Sequence, residues 1–102
     1  MSFKLPFTPV QGGTQSISAT ITSASATLAT AGAASQSLLL QVTGSNPAFV
    51  RTGTGTVTAT TGDMVVLPNV PQLITKPVGD NIVSAITATG AATVYATPGE
   101  GG

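Results

Sequence analysis

A chain of 102 residues is long enough for one domain with a modest core and too short for two. Charged side chains make up 6% of it, three basic against three acidic, which excludes the electrostatic footprint of a nucleic-acid binder or of a protein held on an anionic membrane. There is no histidine and no cysteine, so the commonest general base and metal ligand and all disulfide chemistry are excluded together, while 41% apolar residues at zero net charge exclude a disordered chain.

Met1 to Gln11 carries Phe3, Leu5 and Phe7 at a period of two, interrupted by Pro6 and Pro9. Proline cannot donate to a sheet ladder, so the segment predicts an extended arm over residues 1–11, with Phe3, Leu5 and Phe7 as candidate partner contacts. An edge strand packed on its own domain is the alternative. The segment lacks the apolar stretch of a secretory signal, and no apolar run approaches the ~20 residues of a membrane span. Cytoplasmic synthesis without export is the expectation.

Gly12-Gly13 ends the arm. Thr14 to Thr22 then alternates Ile17, Ala19 and Ile21 with hydroxyls, the pattern of a half-buried strand. Ala26 to Thr30 reads as a weaker strand, and 31–36 as a loop of small residues. Ser37 to Thr43 is an apolar strand stopped by Gly44-Ser45-Asn46-Pro47, a strong turn signal. Ala48 to Arg51 opens the next strand. Beyond it Thr52, Thr54, Thr56, Thr58 and Thr60 alternate with Gly53, Gly55, Val57 and Ala59, predicting a strand with five threonines on one face. Gly62-Asp63 turns the chain into Met64 to Leu67, which reads as a strand buried on both faces and closed by Pro68. Gln72 to Lys76, Asn81 to Thr89 and Thr93 to Thr97 are further strands, and Pro98 to Gly102 a flexible tail.

The fold class this predicts is all-β: a small antiparallel β-sandwich or jelly roll of about eight short strands over 12–97, with an N-terminal arm (1–11) and a C-terminal tail (98–102). Its expected core includes Ile17, Ile21, Leu38, Leu40, Val42, Val66, Ile74, Ile86 and Val94.

The three carboxylates, Asp63, Asp80 and Glu100, fall in turns or the tail, where glycine neighbours make Asp63 and Asp80 ordinary turn residues. No catalytic, cofactor-binding or metal-ligating residue is assigned, and no cofactor is implied; a serine or threonine nucleophile would have no histidine to activate it. Arg51, the single arginine, is a fork for a partner carboxylate or a side chain lying along the sheet surface, and it joins the candidate partner contacts. A sugar-binding module using Tyr95, Phe49 and loop hydroxyls is a rival with few aromatic platforms.

The segments NPAFVRTGTGTVTATTGDMVVLP and ITATGAATVYATPGEG resemble those of small β-rich virion proteins of tailed bacteriophages. The shared features are Phe49-Val50, the glycine turn at Gly53, Val57 to Thr60, the apolar strand Val65 to Pro68 and the closing Thr93 to Gly101, together somewhat more than half of the chain. What the resemblance implies is a non-enzymatic capsid decoration (cement) protein on the virion surface. It would bind the major capsid protein as a homo-oligomer, dimer or trimer, after synthesis in the host cytoplasm. Tail, fibre or head-vertex roles are the neighbouring readings. The arm lies outside the matched segments.

Overall fold

In the computed structural model, which describes residues 7–28 and 34–100, nine strands are laid down in order: β1 (Thr8–Pro9), β2 (Gln15–Ala19), β3 (Ala24–Thr27), β4 (Ser37–Thr43), β5 (Ala48–Gly53), β6 (Met64–Val66), β7 (Gln72–Thr75), β8 (Ile82–Thr87) and β9 (Ala92–Glu100). They form two antiparallel sheets. In the first, β1 and β2 both lie on β9, followed by β4 and β7; the second runs β3-β8-β5-β6.

β1 and β2 are successive parts of one edge. Thr8 and Pro9 pair with Glu100 and Gly99, and Gln15 to Ala19 pair with Ala96 to Ala92. Between them the chain bulges, with the Gly13 amide donating to the Val10 carbonyl at 3.0 Å. Pro98 sits opposite this gap. Its carbonyl accepts from the Val10 amide at 2.8 Å, and the amide hydrogen that proline lacks would point the same way, so the ladder loses little there. With β1 and β2 taken as one strand, first pairs with last, second with seventh, third with sixth and fourth with fifth. That nested wrap is a jelly roll, as the strand pattern predicts.

The core is what alternation buries between the sheets. Leu38, Leu40 and Val42 from β4 meet Ile17, Ala19, Val94 and Ala96 from β2 and β9, with Ala48, Val50, Val66, Val83 and Ala85 contributed by the second sheet. Each buried leucine or valine contributes about 1.5–3 kcal/mol relative to exposure. Ile21 does not join them. It is 66% exposed in the β2–β3 turn, because the strand stops where Thr20 bonds its own turn: the Thr22 amide donates to Thr20 Oγ1, and the Thr87 amide to the Thr20 carbonyl. Ile74 on the edge strand β7 and Ile86 on β8 are only partly buried.

The threonine-glycine stretch is not a strand. β5 ends at Gly53, and residues 54–61 leave the ladder to cross the outer face of the second sheet as a strap. The Ser84 hydroxyl of β8 donates to the Val57 carbonyl, and the Ala59 amide donates to Ser23 Oγ at 2.9 Å, leaving Ala59 2% exposed. Glycine permits the fold-back: a Cβ on Gly53 would stand 2.8 Å from Val57 Cγ2, and Gly55 has φ +74°. Thr54, Thr56, Thr58 and Thr60 are exposed, without the common strand face expected of them.

Three further expectations change. β6 is a three-residue edge strand rather than one buried on both faces, leaving Val65 42% and Leu67 54% exposed. The tail expected from Pro98 begins later, since β9 continues to Glu100 between β1 and β4. The arm expected over 1–11 is an edge strand from Thr8 onward, and Phe3 and Leu5 lie outside the described residues. No helix among the described residues is long and apolar enough to cross a membrane.

Candidate functional site

Each carboxylate is engaged in holding a connection. Asp63 Oδ1 accepts from Arg51 Nε at 2.9 Å and lies 2.8 Å from Nη2, while Oδ2 accepts from the Thr60 amide at 2.7 Å. The Thr60 amide first, and then Arg51, hold the Asp63 carboxyl below the usual range against a smaller desolvation effect. Asp80 accepts from Thr52 Oγ1 at 3.1 Å, and Glu100 Oε1 from the Gln36 amide at 3.3 Å. Among the described residues no three potential metal ligands of the His, Cys, Asp and Glu types gather.

Arg51 is therefore committed, at least on one side, to closing the end of the strap. Its side chain is half exposed on the outer face of the second sheet, whereas Phe7 is half-buried beside the edge of the first. The fold does not bring these two candidate contacts together. It also separates Tyr95 from Phe49: alternation along β9 places the tyrosine on the outer face of the first sheet, and alternation along β5 places the phenylalanine on the outer face of the second.

Lys76 is the unusual cation. It is 2% exposed, and its Nζ donates to the Ser35 carbonyl at 2.7 Å. Burial pushes its pKa below the ordinary lysine range, opposed by Asp80 and Glu100. Unfolded, the lysine keeps its proton to about pH 10.4. Folded, it releases the proton earlier, so across that window the folded state binds fewer protons and stability rises with pH. Lys76→Met should remove this alkaline rise from urea midpoints measured between neutral pH and about pH 10. An unchanged slope would place its origin elsewhere.

The charges are unevenly placed. Arg51, Asp63, Lys76, Asp80 and Glu100 lie on the sheet face or at the end holding the β3–β4, β5–β6 and β7–β8 connections, and the loops 20–23, 44–47, 67–71 and 88–91 at the other end carry none. At that neutral end a shallow cleft of about 390 Å³ opens among Ser18, Thr20, Thr43, Gly44, Ala91 and Thr93. Register sets Thr93 between Ser18 and Thr43, with Tyr95, 39% exposed, between Ser16 and Gln41 on the same face. The cleft offers hydroxyls and no charge.

A second surface was not legible locally. Of the seven exposed large hydrophobic residues among those described, five fall between Val65 and Val78, on the side of the sandwich where β6 and β7 are the outer strands. Across the second sheet, Phe49 is in register with Val65 on one neighbour and with Ile86 on the other, and all three face outward. Leu67, two residues beyond Val65, extends the row. The signal that points to it in the sequence is the shortness of the apolar run between the Gly62-Asp63 turn and Pro68, which suits an edge as well as a centre.

No family model, curated protein or solved structure matches this chain.

Proposed function

We propose that this protein is a non-enzymatic structural component of a tailed-phage virion that decorates the capsid and stabilises it by binding the major capsid protein. The observation that carries the reading is a jelly roll with its exposed apolar residues concentrated on one uncharged side and its carboxylates engaged in turns. Jelly rolls serve as viral capsid domains and as lectins, an analogy of fold that agrees with the resemblance of the Phe49 to Pro68 and Thr93 to Gly101 segments. A surface with little charge is ill suited to life as a crowded free monomer and well suited to an assembled state.

The arm supplies the test. Because Thr8 and Pro9 belong to the sheet, the informative truncation removes only Ser2 to Pro6. The shortened protein should keep its fold by circular dichroism and lose co-sedimentation with capsids, since Phe3 and Leu5 offer apolar area that a shell groove would cover. Undiminished saturation of the shell would remove the arm from the contact. Recovery of the intact protein from tails alone would replace decoration with a tail role.

The cleft beside Tyr95 favours one second reading, a neutral-sugar site. Binding on a glycan array that Tyr95→Ala abolishes would support it.

A further inference from the structure

We infer that the row Ile86, Phe49, Val65 and Leu67, continued by Val70 around the β6–β7 side, is where a second copy of this chain docks. An aromatic flanked in register by aliphatic side chains on adjacent strands is the composition of an interface centre, where a few buried anchors dominate the energy. The outer edges of β6 and β7 have no neighbouring strand, and no charged residue occurs from Met64 to Thr75. Sheet edges are ordinarily protected by charge or by proline. Here Pro68 and Pro71 stand in the crossing from β6 to β7, so the ladder cannot be extended far along this side. The contact is side chain against side chain.

A copy of the same chain fits better than a partner of another kind on three counts. In an isologous pair the row meets itself about a two-fold axis, which requires a surface that does not repel its own image. This one does not: it is uncharged, and the nearest ionic group, Arg51, is neutralised by Asp63. It also offers a charged partner nothing to recognise. The area suffices as well. A body 41 × 30 × 24 Å across has a smallest face of about 24 × 30 Å, on the order of 700 Å² and close to the ~800 Å² per partner of a standard interface. Such a contact is independent of whether the protein belongs to a virion.

Sedimentation equilibrium of the full chain, from micromolar to near-millimolar concentration, tests it. A dimer is expected, and Val65→Glu or Leu67→Glu should weaken it about 100-fold with the fold unchanged by circular dichroism, because both side chains are exposed in the monomer. Ile21→Glu, at an equally exposed position on the far β2–β3 turn, should leave the dimer intact. A chain monomeric at every concentration overturns the inference, and so does an association indifferent to both glutamates. A monomer whose Val65→Glu variant no longer binds isolated capsids would give the row to a shell protein, again overturning the self-contact. Should a variant misfold, the concentration series on the unaltered chain decides.

Discussion

Leu40→Ala should lower stability by about 2–5 kcal/mol, toward the upper part of that range. Leu40 is 0% exposed in β4, an interior strand of the first sheet, and its cross-strand neighbour on β9 is Ala96, whose methyl group cannot swing into the space left behind. A hole that cannot collapse forfeits packing as well as transfer energy. Domains of this kind are stable by only about 5–15 kcal/mol, so the loss would shift the urea midpoint strongly while leaving the slope of the transition unchanged. Ile74→Ala, on the edge strand β7 and only partly buried, should cost clearly less. Equal losses at the two positions would mean that β4 is not the interior strand described.

Ser84→Ala should cost about 1–3 kcal/mol, large for the loss of one oxygen. The serine faces outward from β8, yet it is 0% exposed because the strap lies over it, and its hydroxyl is the donor to the Val57 carbonyl. Removing that donor leaves a covered carbonyl without this bond and loosens the 54–61 crossing at its middle. Hydrogen exchange should locate the damage at the Ala59 amide, which donates to Ser23 beneath the same strap. Ser25→Ala, at the exposed cross-strand position on β3, is the control and should stay within about 0.5 kcal/mol. If the two alanines behave alike, the strap is not held as described.

What could be read in advance followed from how local each determinant is. Ser37 to Thr43 was legible to the residue, because three leucines and a valine supply an apolar face and Gly44 to Pro47 supply an end. The threonine stretch misled for the opposite reason: Gly53 and Gly55 occupy the positions that would have to be buried, so alternation there had little to bury and no force to hold a strand. Met64 to Leu67 is apolar throughout, and such a run does not say whether it lies at the centre of a sheet or at its edge. That depends on being fifth in the wrap, a property of the whole chain. The Val65–Phe49–Ile86 row was illegible for the same reason, since it exists only through the register of β5 with two other strands.

The nested pairing governs how this protein can come into being. Ile17 meets Val94, and Ala26 meets Val83, so the earliest strands find their partners only after nearly all of the chain has been synthesised. A nascent chain that stopped after β7 would hold β2 without β9 and β3 without β8, two unpaired strands exposing the residues meant for the core. Little of the sandwich can form while the polypeptide is still emerging, and the finished chain must close its longest loops first, a search that places folding in the range of roughly milliseconds to seconds. During that interval only a few charges keep neighbouring chains apart, so the rate of synthesis, as much as the stability of the product, would limit how much of it a cell can accumulate in native form.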